Sequence, residues 1–517
     1  MMKRIYCFIL CASLIPAAAA SGAPSGAESI DTQTEAISVG PDLQLFVDDF
    51  LIDQMSGLEL QLHRPQSAGK ALSFDQPWEG DSSTYVSVFK DGDRFRMYYR
   101  GSGRETPSSL AVGEKTVAAH AELIAYAESE DGIRWTRPSL GIFEFQGSKE
   151  NNIVWMDMEE SHKLAPCMHV FKDTNPAAAA SERYKALGSC SYPLVVLASP
   201  DGLHWRYLRG EQSLISDGLH KNAFDAISSA FWDPVKGHYV VFFRDSDRGR
   251  REGSQHKKGV SSVVNYGNRS FKYSSSPDFI NWSYPQWVDF GSAPTEHLYT
   301  NGAIPYFRAP QIYLAFPKRF QPWKAYFENW NPGASDGVFL SSRDGIHWDR
   351  RFMEAFVRPG PHERNWGHRS NMAAVGILQT GERELSLYYT RHYAFPSDHL
   401  ERLVLRLDGF ASVNAGYFGG EFITKPLRFE GSSILLNFET SAAGSIRLEI
   451  QNEKGSPIPG FSLEDSPLIW GDKIDSSVVW KRATSQTDSE PLKRLKGMPV
   501  RLRFVMRDAD LYSFRFQ

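Results

Sequence analysis

Five places along this chain set an ionisable or amide side chain at the head of, or on, an alternating apolar segment. They are Trp78-Glu79-Gly80-Asp81 ahead of Tyr85, His169 with His162 upstream of it, Asn222-Ala223-Phe224-Asp225, Glu296-His297-Leu298-Tyr299-Thr300-Asn301, and Trp366-Gly367-His368-Arg369-Ser370-Asn371. Three of the five carry a carboxylate in the same relative position, where an acid is costly to desolvate. Carboxyl groups that converge in this way suit cleavage of a glycosidic bond, in which one protonates the departing oxygen and another attacks or activates water. On this reading Glu79, Asp225 and Glu296 are the catalytic candidates. Asp81, His169, Asn301, His368 and Arg369 would line the substrate, with the Arg and His gripping hydroxyls or an acidic substituent. Each has a plainer reading: Glu79 and Asp81 in an exposed loop, Asp225 capping a turn, His169 satisfied in the core, Arg369 and His368 paired with a structural acid. No cofactor is required by this chemistry. His169, Asp225 and His368 leave room for a structural calcium ion, though no ligand spacing of the stronger kinds is present.

The elements that must position these residues follow from a repeat. Ser129-Glu130-Asp131-Gly132-Ile133-Arg134-Trp135 recurs as Ser199 to Trp205, Ser276 to Trp282 and Ser342 to Trp348, with a degenerate copy, Leu407-Asp408-Gly409-Phe410, that lacks the Trp. The Asp residues stand 70, 77, 66 and 64 positions apart, which suits a four-stranded sheet with its loops. Each unit reads as a strand, a tight turn and a return strand. A second alternating pair precedes each unit: Tyr85 to Arg100, Met168 to Ser189, Ser229 to Arg244, Ala303 to Phe320 and Ala373 to Arg391. Two hairpins in each of five periods predict a five-bladed β-propeller. In it the Asp and Gly shape turns and the Trp wedges between blades. The innermost strands border a central channel, so residues at their heads meet in a funnel.

Helical periodicity is nearly absent, so the chain is read as all-β. Beyond Lys425 the repeat stops and short alternating strands, Ser433 to Glu439, Ser445 to Gln451 and Val500 to Met506, predict a β-sandwich over 426–517. The propeller is placed at 43–425. Leu45 to Asp53, with its paired Asp48 and Asp49, is expected to close blade five. Residues 21–42 are expected to be a flexible lead-in, and Met1 to Ala20, a basic start followed by a short apolar stretch and alanines, reads as a secretory signal peptide. The protein is thus expected to be secreted or periplasmic, without membrane insertion. Only Cys167 and Cys190 lie beyond the signal, as one bridge or two buried thiols. A net charge of -4 without long runs of one sign argues against nucleic acid and anionic membranes as partners. The 13% aromatic content fits either sugar stacking or sheet packing.

The acids on successive blades, the Asp-Gly-x-x-Trp hairpins and the terminal sandwich resemble the five-bladed propeller glycoside hydrolases of families 32, 43, 62 and 68. Pro77-Trp78-Glu79-Gly80, Glu296 to Asn301 and Ser341-Ser342-Arg343-Asp344-Gly345 are most similar to secreted bacterial proteins described as family-32-like. The resemblance implies a blade-one acid as nucleophile or base (Glu79 or Asp81), a following Asp that stabilises the transition state (Asp225) and a later Glu as general acid (Glu296). The Trp-Met-Asn-Asp-Pro-Asn, Arg-Asp-Pro and Glu-Cys signatures of invertases are missing, Arg244-Asp245-Ser246 being a near match at the wrong end of a hairpin. Two other readings compete: a non-catalytic carbohydrate-binding or scaffolding propeller, and a polysaccharide lyase with a Tyr or His base.

Overall fold

A computed structural model describes residues 35–105, 117–157, 164–189, 194–208, 219, 223–246, 268–328, 330, 332–367, 369–481 and 491–517. Ala36–Gln517 forms one compact unit. The signal peptide, His162, Cys190 and His368 lie outside the described residues.

The repeat becomes five antiparallel sheets in chain order. Blade one is Thr84–Asp91, Arg94–Gly101, Leu123–Ser129 and Ile153–Met156. Blade two runs from His169–Lys172 to Arg206–Tyr207, blade three from Ser229–Asp233 to Gln286–Trp287, and blade four from Ile304–Tyr306 to Trp348–Asp349. Blade five uses Met372–Ala373, Leu378–Gly381, Glu384–Arg391 and His399–Arg406. The inner strands of blades one to four are successive neighbours. Val88 N donates to Val375 O (2.9 Å) and Val375 N to Val86 O (2.8 Å), which closes the ring between blades five and one. The chain is an all-β propeller followed by a β-sandwich.

The recurring hairpins behave as their residue types require. In the first, Asp131 Oδ1 accepts from the Ile133 (2.7 Å) and Arg134 (2.8 Å) amides while Ser129 Oγ accepts from Gly132 N (2.8 Å). The tryptophans reach the second strand of the preceding blade: Trp135 packs edge-on against Tyr388, Trp205 against Tyr98 and Trp348 against Phe242. Gly202 is left-handed (φ +82°), and a Cβ there would lie 2.5 Å from the Tyr98 hydroxyl.

Four expectations are corrected. The strand that completes blade five is Gln66–Ser73, paired with His399–Arg406, and not Leu45 to Asp53. Gln44–Leu45 and Ile52–Ser56 instead join the sandwich, on Val500–Phe516 and Gly420–Thr424. Ile37–Gly40, inside the segment expected to be flexible, pairs in parallel with Leu427–Phe429. A boundary at 425/426 therefore does not follow the pairing, because the N-terminal strands belong with the C-terminal sheet. That sheet is built on two long strands, Ile434–Asn452 and Val500–Phe516, and not on short ones. Both are interrupted by bulges, at which one sheet can bend over its own apolar face. The Phe46, Phe422, Phe504, Phe514 and Phe516 side chains fill the core it encloses.

Candidate active site

All five blades contribute to one axial cluster: Tyr85, Cys167, Ile227, Tyr299 and Phe320, and Met372 with Tyr393. Cys167 is buried there. Around the cluster stand Arg100 from blade one, Arg244 and Arg269 from blade three, Lys318 from blade four and Arg369 from blade five. Their placement follows from strand direction. In each blade the first strand leaves the funnel and the second returns to it, so a cation that ends a second strand arrives beside the residues that head the first. Thr84 accordingly pairs with Arg100, and Ser229 with Phe242 two residues before Arg244.

Asp225 sits among these cations. Its carboxylate accepts from Arg244 Nη2 at 2.9 Å and its side chain is 47% exposed. Phe224, just before it, is held at φ 68°, and Tyr85 and Asn371 at φ 52° and 65° occupy comparable positions. Left-handed non-glycine residues of this kind cost about 1–3 kcal/mol each and gather at functional sites. The rings of Tyr85 and Tyr299 lie under guanidiniums: Arg100 over Tyr85 at 4.8 Å, Arg244 and Arg269 over Tyr299 at 4.8 and 5.0 Å. Lys318 Nζ is 4.0 Å from the Tyr299 ring centre. Tyr393 accepts from Arg369 Nη1 (3.3 Å) and Arg100 Nη2 (3.4 Å). Burial pushes its phenol up, but Arg369, Arg100 and Arg104 together leave it below the usual tyrosine value.

Asp81 lies at the edge of this cluster. Its carbonyl accepts from Ala394 N, and the Arg104 guanidinium beside it covers the Tyr393 ring at 5.0 Å. Burial raises its carboxyl, opposed by Arg104. The buried Asp398 on blade five is raised well above the carboxylate range, by burial first and by Asp81 next. Both Asp398 oxygens and Asp81 Oδ1 are buried without a hydrogen-bond partner among the described residues.

The other sequence candidates are placed elsewhere. Glu79 is buried in a closed network, accepting from Arg137 Nε (2.9 Å) and Nη2 (3.0 Å), the Tyr99 hydroxyl and Gln76 N (3.0 Å). Burial raises its carboxyl and Arg137 offsets that. Glu296 is clamped by Arg319 Nη1 and Arg350 Nε, each at 3.0 Å. It lines a small pocket with Trp287, Phe290 and Arg350. Strand parity explains its place: His297–Leu298 pairs with Lys318–Gln321, and Lys318 and Phe320 turn to the axis while Arg319 turns away toward Glu296 and Asp336. His169 donates from Nε2 to Ala230 O (3.1 Å) and accepts at Nδ1 from the Ser87 hydroxyl (2.9 Å), and burial lowers it to about 4. Asn301 bonds Ser229 Oγ and Phe242 O, stapling blade four to blade three. Of the described substrate-lining candidates, Asp81 and Arg369 lie near the axis with Asp225, and His169 and Asn301 do not.

Comparison with known proteins adds the following. No protein-family model matches the chain, and no curated protein matches it. Solved structures do. A glycoside hydrolase is 12% identical, with 66% of this chain and 92% of that chain covered and a TM-score of 0.42. A glycoside hydrolase family 43 arabinoxylan arabinofuranohydrolase from Bacillus subtilis gives 12% identity, 86% and 97% coverage and a TM-score of 0.37. A glycoside hydrolase family 32 β-fructofuranosidase from Bombyx mori gives 9%, 87% and 94%, and 0.40. At these identities and scores no function passes from them to this chain.

Two further features belong to the site. An aromatic rim stands beside the axis on the loops of blades four and five: Trp330 packs against the axial cluster and stacks with Phe395, and Tyr326 stacks with Trp366. Among the described residues no three His, Cys, Asp or Glu side chains are grouped to hold a metal ion. Sequence reasoning missed Arg100, Arg269, Lys318, Tyr393 and Asp398, and set Arg244 aside. Aromatic pairs followed by a cation at the ends of second strands, Tyr98-Tyr99-Arg100 and Phe242-Phe243-Arg244, were the available signal.

Proposed function

We propose that this protein is an exported carbohydrate-active enzyme, a glycoside hydrolase whose chemistry takes place in the propeller funnel without a required cofactor. The observation that carries the proposal is the pairing of two kinds of carboxyl around one axial cluster. Asp225 on blade three is open to solvent and salt-bridged to Arg244, as a nucleophile or general base must be. Asp81 and Asp398 are desolvated and near one another, which retains a proton for the leaving oxygen. Asp81, the more accessible of the two, is assigned as proton donor and Asp398 as its reservoir. The aromatic rim supplies faces for sugar rings. Glu79 and Glu296, each neutralised by guanidinium, are assigned to structure.

Incubating the mature protein with plant, algal and microbial glycans and following released sugars tests this. Wild type is expected to release sugar, and Asp225→Asn and Asp81→Asn to lose ~10²–10⁴-fold in rate. Binding without release from any glycan would instead favour the non-catalytic propeller.

One observation favours a second reading. A phenol held below its usual value by three arginines, at Tyr393, suits proton abstraction from a sugar whose carboxylate is neutralised by arginine. A lyase of that kind yields unsaturated products that absorb in the ultraviolet, and Tyr393→Phe would abolish them while Asp81→Asn would not.

A further inference from the structure

We propose that the funnel floor recognises a negatively charged sugar substituent, a carboxylate or a sulfate ester, through Arg369 and the buried Lys318, so that the substrate class is acidic glycan. This rests on the reading of the funnel as a carbohydrate site and extends it to substrate choice.

The first observation is unmatched charge. Lys318 is fully buried, and its Nζ has no hydrogen-bond partner. Its nearest partner is a π-face, that of Tyr299. Arg369 donates from Nη1 to Tyr393, but its Nε is buried and unpartnered, as is Arg100 Nε. Among the described residues neither Lys318 nor Arg369 has an ion-pair partner. Charging such a group without an anionic partner is costly, by several kcal/mol even after relaxation, so an anion brought to it is favoured. A second, independent observation is the aromatic rim next to the same floor, where a sugar ring can lie while its substituent points inward.

The groups that face Lys318 are Arg369, Arg269 and Arg244 with Asp225, and Tyr299 and Phe320 at its side. Burial and then these three guanidiniums hold its amine well below the lysine range. An anion arriving beside Arg369 would relieve that repulsion and favour the ammonium, strengthening the charge-assisted bonds it receives.

Calorimetric titration of the full mature protein tests this with glucuronate, galacturonate and inorganic sulfate against glucose and galactose, together with arrays of acidic and neutral oligosaccharides, at 20 and 500 mM NaCl. The expected result is that acidic members bind at least ~10-fold more tightly than neutral ones, and that salt weakens them. Arg369→Gln and Lys318→Met should each weaken acid binding ~10-fold or more. Lys318→Met should keep or raise the melting temperature, since an apolar side chain replaces a buried amine. A purely structural lysine would do the reverse, losing stability with binding unchanged. Uronates alone, or sulfate and sulfated glycans alone, would name the substituent. Equal binding of acidic and neutral sugars, no binding of acidic members, or indifference to both substitutions overturns the proposal. Neutral glycan hydrolysed with no acidic preference would overturn it while leaving the hydrolase reading intact. Acidic binding with no sugar released would do the opposite.

Discussion

His169 links three inner strands, since it sits on blade two and bonds Ser87 on blade one and Ala230 on blade three. Burial lowers its ring from 6.5 to about 4. The folded state therefore holds it neutral while the unfolded chain takes up a proton below about 6.5. Its contribution is complete above that value and declines as pH falls toward about 4, by up to about 3 kcal/mol. Urea denaturation at pH 7 and pH 4.5 is expected to show this loss, and His169→Gln to flatten it. The same residue shows what sequence could and could not tell. An inward polar side chain on a first strand was legible, but whether it faced the channel or the next strand was not. Glu296 and Lys318 make the point more sharply. Glu296 directly precedes His297–Leu298, the strand that pairs with Lys318–Gln321, and it meets Arg319 while Lys318 faces the axis, so an error of one residue in parity exchanges the outer face for the axis.

At the scale of an element, the third hairpin departs from the other three. Where they have Gly132, Gly202 and Gly345, it has Phe279, held at φ 65°. Blade two has no tyrosine at the matching place on its second strand. The Phe279 ring fills that room, packing on Phe171 and lying near Lys185. Phe279→Gly would relieve about 1–2 kcal/mol of left-handed strain but open a cavity worth about 3–5 kcal/mol. A net loss of about 2–3 kcal/mol is expected in chemical denaturation. Gly202→Ala should also destabilise, by at least ~1–2 kcal/mol, because strain and the Tyr98 hydroxyl both oppose the new methyl group. The hairpins were fully legible in sequence because Ser, Asp, Gly and Trp act locally. The closing strand was not: Gln66–Ser73 has little alternation and is chosen by the free edge of blade five.

For the whole molecule, the degenerate fifth copy turns out to join the two halves. Asp408 is fully buried and accepts from Tyr306 (2.6 Å) and Arg308 Nε (2.9 Å) on blade four, and from Asn437 and Ser513 (both 3.2 Å) in the sandwich. Arg343 and Arg351 of blade four reach Asp48 and Asp49, between the strands Gln44–Leu45 and Ile52–Ser56. The sandwich thus braces the propeller. Asp408→Ala, which takes an acceptor from Arg308 and from three further donors, is expected to cost about 3–5 kcal/mol and to split unfolding, expected as one transition in the wild type, into two in calorimetry.

The sequence by itself determined the all-β class, the recurring hairpin and its turn chemistry. These depend on side chains within a few residues of one another and on a period that survives divergence. Tertiary structure alone decided which charges meet. Asp225, Arg244, Lys318, Arg369, Tyr393 and the Asp81–Asp398 pair come from four blades, and their encounter is set by how each strand is paired, turned and buried. Burial raises the carboxyls of Glu79, Asp81 and Asp398 alike, and their partners set them apart: Glu79 is held by Arg137, Tyr99 and Gln76, whereas Asp398 faces Asp81.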